Sequence, residues 1–174
     1  FTIQGGDTMV LNESAEKILR SNVNILFDQL EKAVNEYLCN GHSRGEFSFI
    51  NAYLSATLNA VVSYIERLIE AGRMQELDVV EALKFANNLQ KHNPQLIRIF
   101  RPNGGFEFPF CIEEDGFEFL EISIVWDECV GLKTRKVSQK ESYKKYLQQR
   151  KVIDTLKPIA ECLLGGREAE IDEH

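Results

Sequence analysis

The chain has 174 residues (19.9 kDa), 44% hydrophobic and 27% charged, which fits one globular domain and excludes a wholly disordered or fibrous protein. A domain of this length buries roughly 70% of its unfolded surface, so its core needs neither metal nor disulfide. The net charge is −7 and the pI about 5.1, well below the ~9 of a typical nucleic-acid-binding domain.

Cys39, Cys111, Cys129 and Cys162 form no C-x-x-C pair. They read as reduced, mostly buried thiols of a cytoplasmic protein rather than as a disulfide framework. No basic region leads into an apolar stretch near the N-terminus, so no signal peptide is expected. Residues 1–11 read as a tail, with Met9 as a candidate natural start and Phe1–Thr8 as either added residues or the remnant of a processed precursor.

Apolar residues at three- and four-residue steps predict a first helix over Asn12–Asn40, along Ala15, Leu19, Val23, Leu26, Leu30 and Tyr37. Asn12 is the expected N-cap, and Gly41 the expected stop. A second helix is predicted over Ser48–Ala71, with Ile50, Leu54, Leu58, Val61, Ile65 and Leu68 inward and Gly72 ending it. Residues 47–65 form a 19-residue uncharged run, but Ser48, Asn51, Ser55, Thr57, Asn59 and Ser63 interrupt it. That predicts a buried helix and no membrane span.

Asn51, Ser55, Asn59 and Ser63 recur every four residues beside Ala52, Ala56 and Ala60. Small side chains on one face permit close helix approach, either within the fold or across a homodimer interface. A third helix is expected over Met74–His92, closed by Asn93-Pro94, and the three together predict an antiparallel bundle.

From Gln95 the period changes. Gln95–Arg101, Phe106–Ile112 and Phe117–Trp126, separated by Asn103-Gly104-Gly105 and Glu113-Glu114-Asp115-Gly116, predict a three-stranded antiparallel β-meander. Pro109 marks its strand as an edge or a bulge. The Phe-rich strands read as core beneath helices, or as a partly uncovered ligand or partner patch. Ser138-Gln139-Lys140-Glu141 fits a capping box that opens a C-terminal helix to about Lys157, with Pro158 kinking it or starting a short helix to Leu164. The fold class is therefore α+β over residues 12–164, with 165–174 a mobile acidic tail.

Charge distribution carries the functional reading. Residues 133–157 hold nine basic and two acidic side chains, whereas residues 102–130 hold eight acids and no Lys or Arg. Either the two segments screen one another, or each meets a partner. Glu107, Glu113, Glu114, Asp115, Glu118 and Glu121 would meet a basic protein, as an acidic accessory or immunity-type protein does. Arg135, Lys136, Lys140, Lys144, Lys145, Arg150 and Lys151 would meet nucleic acid or an acidic partner, with Tyr143 and Tyr146 available to stack on bases.

Catalytic motifs fail their context. Gly41-His42-Ser43-Arg44-Gly45 matches the nucleophile elbow G-x-S-x-G, but a helix precedes it, and the two glycines read more simply as an interhelical turn. Cys39-x-x-His42 offers two zinc ligands and no second pair. Glu107, Glu118, Glu121 and Asp127 would serve a divalent-metal nuclease only if they shared a face. The reading is a non-enzymatic protein-interaction module, homodimeric and without cofactor. Nucleic-acid binding through the basic helix is the alternative, and a metal-dependent nuclease the third.

Overall fold

The computed structural model describes residues 11–39, 44–92, 96–101, 110–113, 116–119, 122–129 and 136–165. Five helices and four short strands occur among them: α1 (Glu13–Cys39), α2 (Arg44–Glu70), α3 (Asp78–His92), β1 (Ile97–Phe100), β2 (Phe110–Glu113), β3 (Gly116–Phe119), β4 (Ser123–Trp126), α4 (Val137–Tyr146) and α5 (Val152–Gly165). The expected helical half and antiparallel strands are present.

Local chemistry sets the ends of α1 and α2. Asn12 caps α1, accepting Ser14 N–H on Oδ1 at 2.9 Å, while its carbonyl takes Glu16 N–H at 2.9 Å. Gly72, at φ +66°, ends α2 in a Schellman turn: Gly72 N–H donates to Ile69 and Arg73 N–H to Leu68, both at 2.9 Å. Gly45 lies in the first turn of α2, not in the connecting turn expected of it.

Helices α1 and α2 run antiparallel, as Thr57 Oγ1–H donating to Leu26 O (3.0 Å) and Arg20 Nε–H donating to Tyr64 Oη (3.0 Å) show. Helix α3 packs on α2 and α4, and α5 returns to α1 and β4. One hydrophobic core joins them, with Val23, Leu30, Leu54, Leu58, Leu83 and Trp126 fully enclosed.

Among the described residues the strands form two two-stranded antiparallel sheets rather than the expected three-stranded meander. β1 pairs antiparallel with β4, from Ile97 opposite Trp126 to Phe100 opposite Ser123. Among the described residues β2 and β3 pair with each other alone, from Phe110 opposite Phe119 to Glu113 opposite Gly116. The span expected as one strand, Phe117–Trp126, is thus two strands in two sheets. Burial explains the partner choice. All four residues of β4 are buried, so it belongs under the helices, and the apolar Ile97–Phe100 segment supplies its ladder there. Pro109 lies outside the described residues.

The C-terminal helix is also two. α4 stops at Tyr146, and the following turn carries Gln149 at φ +62°. That turn extends the ladder of β4: Trp126 N–H donates to Arg150 O at 3.0 Å and Gln149 N–H to Trp126 O at 2.9 Å. Pro158 lies within α5 and does not end it. The expected capping box does not form, because Lys136 occupies the N-cap with no side-chain cap bond, and Glu141 instead accepts from Lys144 Nζ at 2.8 Å. Tyr143 donates to Asp127 O (2.9 Å) and Trp126 Nε1–H to Thr155 Oγ1 (2.7 Å), fastening both C-terminal helices to the strand.

Candidate functional site

Helix α2 has two accessible flanks, one beside α1 and one beside α3 and α4. On the first, the outer side of the α1–α2 pair carries large apolar side chains that face water: Ile18 is 61% exposed, Ile25 56% and Phe49 62%. Ile18 and Ile25 are seven residues apart and so share a helix face. Phe49 lies across from them on α2, in a hollow with Ala33 and Tyr53. At the opposite end of this flank, Leu11, Ala15, Ile18 and Leu19 line a mainly apolar cavity of about 430 Å³, rimmed by Arg67 and Glu70. Lys32–Glu36 and Arg67–Glu70 are intrahelical ion pairs at the two ends of the flank.

The pair is locked on its inner side. Arg73 grips Glu16 with two bonds (2.7 and 3.1 Å), and Tyr64 donates to Glu16 Oε1 at 3.0 Å. The Arg73 guanidinium, with help from Tyr64 and Arg20, holds the Glu16 carboxyl below the ordinary carboxylate range against the opposing effect of burial. Burial pushes the Tyr64 phenol up.

The second flank is polar. Asn59 and Ser63 of α2, Lys84 and Asn87 of α3, and Lys136 and Gln139 at the start of α4 border a groove of about 520 Å³. Lys84 forms ion pairs with Glu76 and with Glu81, the latter at 3.4 Å. Burial works against the Lys84 ammonium, and the two carboxylates outweigh it, so its pKa is raised; Lys84 in turn lowers that of Glu76. Gln139 is buried, and its Oε1 has no hydrogen-bond partner among the described residues.

The groove accounts for part of the predicted small-residue stripe. Asn59 and Ser63 line it, and Gln90 of α3 donates to the Asn51 main-chain O at 3.4 Å, while the Asn51 side chain donates to Phe47 O at 3.2 Å. Ser55 is half-buried between them. The four positions follow α2 toward α3 rather than forming one outward face.

The basic residues do not form a single helix face. Lys136 borders the polar groove, Lys140 is half-buried, and Lys144 pairs with Glu141. Lys145 Nζ sits 4.7 Å above the Tyr146 ring, and Arg150 donates to Lys145 O at 3.1 Å. Lys151 bridges to Val125 at the edge of β4, and Tyr143 is buried against Trp126 and Phe85. Arg135 lies outside the described residues.

Of the acidic set, Glu113 and Glu118 lie in β2 and β3; Glu107, Glu114, Asp115 and Glu121 lie outside the described residues. Asp127 is engaged by Arg98 Nε at 3.3 Å and by Glu128 N–H at 2.8 Å. Among the described residues no group of three or more His, Cys, Asp or Glu is placed to hold a metal ion. Gly41, His42 and Ser43 lie outside the described residues, and Arg44-Gly45 is helical. Cys39 is exposed, contrary to the buried thiol expected, whereas Cys129 is buried and Cys162 half-buried. Burial raises the pKa of both. No described helix is long and apolar enough to cross a membrane.

Sequence reasoning missed Ile18, Ile25 and Phe49. The signal was present: Ile18 and Ile25 fall off the inward stripe of α1 at a seven-residue spacing, and Phe49 precedes the inward position Ile50. Comparison with known proteins gives this chain no relative: no family model, no curated protein and no solved structure matches it.

Proposed function

We propose that this chain is a non-enzymatic protein-interaction module of the cytoplasm, and that its contact face is the outer side of the α1–α2 pair. The observation that carries the reading is the exposure of Ile18, Ile25 and Phe49 together on that side. Scattered exposed apolar residues are ordinary, but several large ones on one flank mark a surface that gains from being covered. Ala52, Ala56 and Ala60 along α2 add little bulk, which lets a partner approach closely. The polar flank and the basic residues meet many of their needs within the chain, through Lys84 with Glu76 and Glu81, and Lys144 with Glu141.

A photoreactive phenylalanine analogue placed singly at Ile18, Ile25, Phe49 and, as a control, Lys144 tests this in the producing cell. Discrete protein adducts from the first three positions and none from Lys144 are expected. Uniform labelling at all four, or none at any, would remove the α1–α2 face from consideration.

A further inference from the structure

We infer that the polar groove between α2, α3 and the start of α4 binds a small neutral molecule rich in hydroxyl groups, a mono- or disaccharide or a related polyol. This is independent of the contact face on the α1–α2 pair and stands or falls without it.

Helix periodicity sets two rows of polar side chains beside one another: Asn59 and Ser63 on α2, and Lys84, Asn87, Asn88 and Lys91 on α3. The α3 row extends about 10 Å along its helix. The space between the rows, about 520 Å³, is of the size that small-ligand sites use. Two carboxamides of the lining are almost wholly enclosed, Asn87 at 6% exposure and Gln139 at 3%. Gln139 Oε1 has no hydrogen-bond partner among the described residues. An unmet buried amide is costly and rare in folded proteins. One placed in the lining of a groove gains when a ligand completes its bonds, and a half-turn of the amide presents either its oxygen or its NH2.

Charge decides the class of ligand. The lining holds three lysines and three glutamates, so it carries no net charge. Lys84 is held by Glu76 and Glu81, and Lys136 adds its attraction to Glu76. An anion would have to displace a carboxylate from these pairs, and a cation would have to displace a lysine. A hydroxyl does neither, because it donates to a carboxylate and accepts from an ammonium at once. The carboxamides of Asn59, Asn87 and Gln139 and the hydroxyls of Ser63 and Ser138 likewise offer both donors and acceptors. Among the described residues of the lining Val62 is the one apolar side chain, and none is aromatic, so neither an apolar ligand nor a stacked base finds its partner there. Water competes for each of these bonds, so a dissociation constant of about 0.1–10 mM is expected.

Amide NMR of the isotope-labelled full chain tests this, with glucose, galactose, mannose, N-acetylglucosamine, myo-inositol, maltose and sucrose each titrated to about 100 mM. Inorganic phosphate and putrescine serve as the charged controls. Saturable shifts at residues 59–63, 87–91 and 136–139 are expected with at least one sugar or polyol. Gln139→Leu should weaken that binding about tenfold or more. Thermal unfolding of the ligand-free variant should stay at or above the parent temperature, because the substitution removes an unmet polar group at similar volume. Asn59→Ala, at an exposed position, should weaken binding severalfold without touching the core, and it decides alone if Gln139→Leu fails to fold. No saturable shift from any sugar or polyol overturns the proposal. Shifts that lie outside the groove, or that both variants leave unchanged, overturn it as well. Shifts at the groove from phosphate or putrescine alone do the same, by giving it to a charged ligand.

Discussion

The flank of α2 beside α1 and the flank beside α3 and α4 differ in what they leave unmet. On the polar side the charges find partners within the chain: Lys84 lies between Glu76 and Glu81, and Asn59 and Ser63 border the same groove. On the apolar side Ile18, Ile25 and Phe49 remain largely in water although the core beneath them is closed. A polar groove loses little by staying open, since water satisfies its groups. An apolar flank gains roughly 25 cal/mol for each Å² it covers. One helix thus borders a surface that loses little in solvent and another that gains from being covered.

The sharpest way to break this contrast is to compare α2's core with the outer flank. Leu58→Ala, at a fully buried position, should cost about 2–5 kcal/mol in urea unfolding. Ile25→Ala, read at a concentration too low for association, should change stability by about 0.5 kcal/mol or less. If Ile25→Ala proved as costly as Leu58→Ala, the outer flank would be part of the core and not a contact face.

Next in size is the lock that holds α1 to the end of α2. Glu16→Gln should cost about 1–2 kcal/mol at neutral pH, since the carboxylate takes two bonds from Arg73 and one from Tyr64 while Arg73 stays half-exposed. The Glu16 carboxyl titrates lower when folded than when unfolded, so its stabilisation is present above its ordinary value of 4.5 and is lost as pH falls through the folded value. The variant's deficit should therefore shrink in denaturant titrations below that pH. A deficit equally large in strong acid would show that Glu16 acts through packing instead.

A smaller effect than at Glu16 is expected on the polar flank. Lys84→Met should cost about 1 kcal/mol or less, and less still in concentrated salt, because its two ion pairs are partly open to solvent. A loss several times larger would mark the groove as a structural core of charge, and the distinction between the flanks would fade.

The helical half was legible because its determinants are local. Apolar spacing, the Asn12 cap and Gly72 predicted α1 and α2 to within a few residues of Glu13–Cys39 and Arg44–Glu70. The strand positions were partly legible, their pairing not at all: alternation marks a strand but does not name its partner, and the partner of Ile97–Phe100 lies beyond an intervening hairpin. The stop of α4 at Tyr146 was also hidden, since no glycine or proline signals it. Its cause is the ladder that residues 149–150 form with Trp126.

By itself the sequence determined the helical half, its three N-terminal helices and most of the inward stripe of α2, because helix periodicity and capping act within a turn or two of chain; in α1 the expected inward Ala15 is exposed and Phe27, off the expected stripe, is buried. The tertiary structure alone decided that β4 takes β1 as its partner, that the Asn51–Ser63 stripe turns toward α3, and that Ile18, Ile25 and Phe49 stay outside the core. Those outcomes depend on which surfaces distant segments bring together, and burial is a property of that assembly rather than of any local run of residues.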